Sequence, residues 1–76
     1  MAVARLELET PVTGVVWKVI AEPGTKVAAS DPVVIMESMK MEIPVEAPAD
    51  GTVTEVLVAE GDSARQDDPV AVLETN

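Results

Sequence analysis

The sequence predicts an all-β fold, a flattened antiparallel β-barrel or sandwich made of two related halves. The chain has 14 Val and 3 Ile against 4 Leu, and β-branched side chains fit a pleated sheet better than a helix. It also repeats itself, and Gly and Asp-Pro turn signals divide each repeat into short segments. The longest helical candidate, residues 59–68, contains Gly61 and lacks an apolar stripe, so we expect a loop there.

The repeat becomes visible when the sequence is shifted by 37 positions, which aligns residues 11–37 with residues 48–74 without a gap. Nine of the 27 aligned pairs are identical, whereas this composition would produce roughly three by chance. The identical pairs are Pro11/Pro48, Gly14/Gly51, Val16/Val53, Val19/Val56, Gly24/Gly61, Asp31/Asp68, Pro32/Pro69, Val33/Val70 and Glu37/Glu74. We therefore expect two copies of one supersecondary unit, related by an approximate two-fold axis.

Each unit is expected to contain a short, a longer and a final strand. In chain order these are Leu6–Glu9, Val15–Ala21 and Val33–Met36, then Ile43–Glu46, Thr52–Val58 and Val70–Leu73. The longer strands break strict alternation, which predicts a bulge in each. The final strands follow Asp-Pro, where proline is tolerated because a first strand residue need not donate to the ladder. Positive φ is predicted at four turn glycines, Gly14, Gly24, Gly51 and Gly61.

Length and composition exclude several classes of protein. The 76 residues suit one domain spanning residues 1–76, and the lone aromatic residue, Trp17, is expected to fill the edge of an aliphatic core. A net charge of -9 disfavours nucleic acids and anionic membranes. Without Cys or His, the chain cannot form a disulfide, a thiolate nucleophile or an ordinary zinc site. With no apolar run near ~20 residues and no signal-peptide core at Met1, we expect a cytoplasmic location.

The junction between the halves contains the unusual residues. In Glu37-Ser38-Met39-Lys40-Met41-Glu42, a tight hairpin is expected with Met39 and Lys40 at its tip. Such turns demand positive φ and usually contain Asn or Gly. Neither residue is present in this segment, and a departure from such a local rule tends to mark a functional site. An ordinary solvated lysine and core-filling methionines are the alternatives. At a two-residue tip, however, at least one methionine must face solvent.

This segment, followed by Ile43-Pro44-Val45-Glu46-Ala47-Pro48 and Asp50-Gly51, closely resembles the biotin attachment region of biotin carboxyl carrier domains. The resemblance covers the whole chain. It implies a barrel-sandwich of two pseudo-two-fold-related four-stranded sheets, biotin attached covalently to Lys40, and recognition of the flanking Met39 and Met41. Two departures are Ser38, where the commonest family form has Ala, and the ungapped repeat, which leaves no room for the protruding thumb that covers biotin in some members.

The implied function is carriage by a non-catalytic module of a biotin-dependent carboxylase. A biotin protein ligase would attach biotin, a biotin carboxylase would load carboxyl from bicarbonate, and a carboxyltransferase would pass it to an acceptor such as an acyl-CoA or a 2-oxo acid. One alternative is a lipoyl carrier domain, although lipoyl domains usually have Asp before and Ala after the modified lysine. The other alternative is an unmodified β interaction module whose Met-rich tip is a contact surface.

Overall fold

The computed structural model describes residues 4–75, and these form eight β-strands. The strands are β1 (Ala4–Glu9), β2 (Gly14–Val19), β3 (Lys26–Val27), β4 (Pro32–Ser38), β5 (Met41–Glu46), β6 (Gly51–Val56), β7 (Ser63–Ala64) and β8 (Pro69–Thr75). Within residues 4–75 there is no helix long and apolar enough to cross a membrane. The predicted all-β class is confirmed.

Two four-stranded sheets form the fold, and each takes strands from both halves of the chain. Their strand orders are β1-β8-β6-β3 and β5-β4-β2-β7, with antiparallel pairing throughout. The bounds of β5 to β8 are those of β1 to β4 shifted by 37 positions, so the predicted repeat is a structural one. Each half supplies the two central strands of one sheet and the two edge strands of the other, so neither half makes a four-stranded sheet by itself.

The core lies between the sheets and is built from Val, Ala and Leu side chains together with Met36, and the polar Thr10 is fully buried as well. Its buried residues are Leu8, Val16, Ala21, Val33, Val34, Met36, Val45, Ala47, Val53, Ala64, Val70, Ala71 and Leu73. Full burial of one Val or Leu side chain contributes about 1.5–3 kcal/mol. Trp17 was expected to fill the edge of the core. It is instead outside this cluster and is 46% exposed. Trp17 lies at the point where the register of β2 shifts and has no partner there in β4.

Most of the predicted strand irregularities are confirmed. The register shifts between Val16 and Lys18 in β2 and at the equivalent point, between Val53 and Glu55, in β6. Strands β4 and β8 begin at the prolines that follow Asp31 and Asp68. Each of these aspartates accepts a hydrogen bond from the backbone N–H three residues earlier, at 2.9 and 3.0 Å, which closes the turn before the strand. Strands β3 and β7 were not predicted, because two residues in a polar stretch give no periodicity.

The glycine prediction is half wrong. Gly24 and Gly61 have φ of 95° and 93°, as expected, but Gly14 and Gly51 begin strands β2 and β6 without positive φ. A Cβ at Gly51 would overlap the Glu74 carbonyl oxygen, and Gly14 is related in the same way to Glu37. These two positions therefore require glycine because another backbone passes close by, and not because of a turn.

The strand order places the hairpin between β4 and β5 away from the chain ends. At one end of the molecule Ala4 lies opposite Thr75 in the β1–β8 pair. Strand β1 leads away from that end, and the chain then enters β2 at Gly14, beside the carbonyl of Glu37 at the base of the hairpin. The hairpin projects from the opposite end.

Candidate functional site

The β4–β5 hairpin closes with a two-residue turn. Ser38 and Met41 form its last pair, and Met39 and Lys40 make the tip. Both tip residues have positive φ, 52° and 65°, which is the signature of a type I′ turn. The predicted tip and its unusual backbone are therefore confirmed. Holding a non-glycine residue in this left-handed region costs about 1–2 kcal/mol, and the surrounding hairpin must supply that energy.

The base of the hairpin is fixed to the body of the domain. The Ser38 hydroxyl donates a hydrogen bond to the Thr13 carbonyl oxygen at 2.9 Å. Below it Met36 is fully buried and pairs with Ile43 on one side and Val16 on the other. An alanine at position 38, the residue most common in the resembling family, would lose the bond to the loop that precedes β2. This contact was not predicted, because Thr13 is distant in the sequence.

The tip presents an amine between two thioethers. Met39 is 93% exposed and Met41 is 63% exposed, and Lys40 between them is exposed as well. Within residues 4–75 no carboxylate lies within salt-bridge distance of Lys40, and its side chain donates no hydrogen bond there. The amine of Lys40 is therefore accessible, and withdrawing it into another protein breaks no contact in this part of the chain.

Two carboxylates lie side by side on the stem of the hairpin. Glu37 and Glu42 are opposite each other across β4 and β5, one pair below the Ser38–Met41 pair. Like charges in directly opposed positions destabilise a sheet slightly, so this pair is not explained by stability. It gives the stem an acidic surface just below Lys40.

Other parts of the described chain offer weaker candidates. Among residues 4–75 no three acidic side chains are grouped so that they could hold a metal ion. An open depression of about 250 Å³ is lined by Lys26, Val27, Asp50, Gly51 and Thr52. The Asp50 carboxylate there accepts a hydrogen bond from the Ala29 N–H at 2.7 Å, so it closes a loop. The hairpin tip is the candidate site.

Met39→Asn is expected to raise the free energy of unfolding by up to about 1 kcal/mol, because Asn adopts positive φ at lower cost than Met. A denaturant melt of the variant against the natural chain measures the difference. Met36→Asn is a matched comparison at a buried strand position, where it should be strongly destabilising. If Met39→Asn lowered stability, the tip backbone would not be strained.

Comparison with known proteins agrees with this geometry. The family model described as "Biotin-requiring enzyme", the biotin and lipoyl family, matches residues 6–73. Such a match spans most of the chain, and the chain belongs to this family. No curated protein gives a significant match.

Two solved structures contain a similar domain. One is the Kluyveromyces lactis urea carboxylase, with a TM-score of 0.88 and 38% identity over 92% of this chain. The other is a single-chain, multi-domain long-chain acyl-CoA carboxylase, with a TM-score of 0.87 and 29% identity over 95% of this chain. The chain spans only 6% and 7% of those proteins. It resembles one small part of each carboxylase.

Proposed function

We propose that this chain is a biotin carrier domain, that Lys40 receives biotin covalently, and that residues 1–76 act as one non-catalytic module. The observation that supports the proposal most directly is the exposed Lys40, which has no ion-pair partner within residues 4–75 and lies at a strained two-residue tip beside Met39 and Met41. An exposed primary amine at a rigidly held tip can enter the active site of another enzyme without unfolding its own domain.

The residues around Lys40 indicate that another enzyme attaches the biotin, because none of them is placed to activate the amine. A lysine amine is protonated at neutral pH and must lose a proton before it attacks an acyl group. The hairpin stem offers Glu37 and Glu42, but these belong to the strands below the tip, and the sequence contains no histidine. The base that activates Lys40 is therefore supplied by a biotin protein ligase. Biotin supplies the site of carboxyl attachment, and this chain supplies the tether.

The tether explains how one domain could serve several active sites. The Lys40 side chain and the biotin side chain together contain about ten rotatable bonds of ~1.5 Å, an arm that reaches more than ~10 Å. Attachment of the arm to a docked or linked domain raises the local biotin concentration to roughly the millimolar range. Loading and transfer then need no tight binding between the carrier and either enzyme.

The expected partners are a biotin carboxylase and a carboxyltransferase. Support comes from the two structural relatives, which are a urea carboxylase and an acyl-CoA carboxylase. The acidic stem and the net charge of -9 suit partner surfaces with basic rims. Those partners, and not this chain, determine which molecule accepts the carboxyl group.

Lipoylation is the second candidate, because the matching family includes both kinds of carrier. The methionines on both sides of Lys40 favour biotin, since the resemblance on which the proposal rests is to the Met-Lys-Met form. The test is to incubate the purified chain with biotin, ATP and a biotin protein ligase, and in parallel with lipoate and a lipoate ligase. Intact mass should increase by one biotinyl group in the first reaction only. An increase in the second reaction alone would assign the lipoyl function, and no increase in either would favour an unmodified module.

Biotinylation is expected to leave the stability of the domain almost unchanged. The core is formed by strand residues on the body of the domain, whereas Lys40 projects from the tip, and surface changes usually stay within ±0.5 kcal/mol. Thermal melts of the apo and biotinylated chain should therefore agree within a few degrees. A much larger increase on biotinylation would show that the arm packs against the domain.

A further inference from the structure

Three of the four methionines lie in the described part of the chain, and their exposure differs sharply. Met36 is fully buried, whereas Met39 and Met41 are 93% and 63% exposed. All three lie within six residues of one another on the same hairpin. The fold thus separates one protected thioether from two accessible ones that flank Lys40.

The strand geometry explains this separation. Met36 and Ile43 are directly opposed and share the inner face of their sheet, and alternation places Met41 on the same face. Along β5 this face passes from buried Val45 to half-buried Ile43 to exposed Met41. The stem therefore extends beyond the core, and Met41 in its last pair is mostly exposed. The type I′ turn leaves Met39 still further from the core.

We infer that Met39 and Met41 form an oxidation site at which a peroxide reversibly controls the acceptance of biotin by Lys40. In the reaction a thioether sulfur takes one oxygen atom from hydrogen peroxide. The O–O bond breaks, an S=O bond forms, the sulfur is oxidised by two electrons, and water is released. In the reverse step a methionine sulfoxide reductase takes two electrons and two protons from a pair of thiols; the S=O bond breaks, its oxygen leaves as water, and the two thiols become a disulfide.

The consequence for Lys40 rests on the proposed function. A ligase that grips the tip must accommodate two flexible apolar side chains beside the amine. Oxidation makes each of them polar and adds an oxygen atom, so contacts that suit a thioether are lost on both sides of Lys40. Met36 is shielded in the core, so mild oxidation leaves the fold intact. The switch therefore alters recognition and not stability.

The first measurement locates the oxidation. The apo chain is treated with dilute hydrogen peroxide, and tandem mass spectrometry of peptides follows each methionine with time. We expect Met39 and Met41 to be oxidised at least ten times faster than Met36, with a melting temperature within a few degrees of the untreated chain. Oxidation of Met36 at the same rate as the tip would overturn the inference.

The second measurement compares the rate at which a biotin protein ligase modifies the treated and the untreated chain. We expect kcat/KM to fall at least tenfold after oxidation and to recover after treatment with sulfoxide reductases. In a chain with Met39→Leu and Met41→Leu, the ratio of treated to untreated rates should be one. An unchanged rate for the oxidised natural chain, a failure to recover, or a fall in the leucine variant would overturn the inference. If the untreated natural chain accepted no biotin, the proposed function itself would fail.

Discussion

Lys40→Arg should abolish biotin acceptance and leave the fold intact. Arginine keeps the positive charge but has no primary amine that can form an amide bond under these conditions. The side chain at this position is exposed and makes no ion pair within residues 4–75, so its replacement removes no contact there that stabilises the domain. Intact mass after incubation with biotin, ATP and a ligase should show no addition, while the melting temperature should match that of the natural chain.

Matched variants of the other two lysines complete this test. Lys18 lies in β2 and Lys26 in β3, where neither can occupy a hairpin tip. Lys18→Arg and Lys26→Arg should accept one biotin each, as the natural chain does. Stoichiometric labelling of Lys40→Arg would contradict the assignment of Lys40 as the residue that receives biotin.

The position of the lysine should matter as much as its chemistry. Exchanging the two tip residues, as Met39→Lys with Lys40→Met, keeps the composition and the exposure of the tip but moves the amine by one residue. Because successive side chains point in different directions, most acylation should be lost. Efficient labelling of the exchanged variant would refute the positional argument and would leave the carrier function standing.

Gly51→Val should be strongly destabilising, with a loss of at least about 2 kcal/mol. Any Cβ at this position would overlap the Glu74 carbonyl oxygen, and Leu73 is close by as well. Either β6 or β8 must move, and both are central strands of one sheet. A denaturant melt measures the loss.

Glu55→Gln on the neighbouring part of β6 is the comparison for Gly51→Val. Glu55 makes an exposed ion pair with Arg5, with 3.5 Å between the carboxylate and guanidinium atoms, and such pairs contribute between zero and about 1 kcal/mol. This variant should be nearly neutral. If Glu55→Gln lowered the stability more than Gly51→Val, the close approach of the Glu74 backbone would not explain the glycine at position 51.

The local features of this protein could be predicted from its amino-acid sequence alone. The excess of β-branched residues predicted the strands, and the repeat predicted two equivalent halves whose strands have matching bounds. The Asp-Pro pairs marked the starts of β4 and β8, and the break in alternation marked both bulges. At the tip, Met39 and Lys40 occupy a turn that normally takes Asn or Gly, so the violation of a local rule identified the candidate site. Apart from the repeat, which is found by comparing the sequence with itself, these signals depend on neighbours a few residues apart, and such neighbours are visible in a single sequence.

The pairing of the strands, and the residues that meet across each pair, became visible only in the folded chain. Because β2 pairs with β4 and β6 pairs with β8, Gly14 and Gly51 lie against the carbonyls of Glu37 and Glu74, a requirement that looks like turn chemistry in the sequence. The same pairing brings Thr13 to the Ser38 hydroxyl and leaves Trp17 half exposed at the register shift in β2. These contacts join residues more than twenty positions apart, and their geometry follows from the packing of whole strands. Periodicity reports which face of a strand is apolar, but it contains no information about the strand that will cover it.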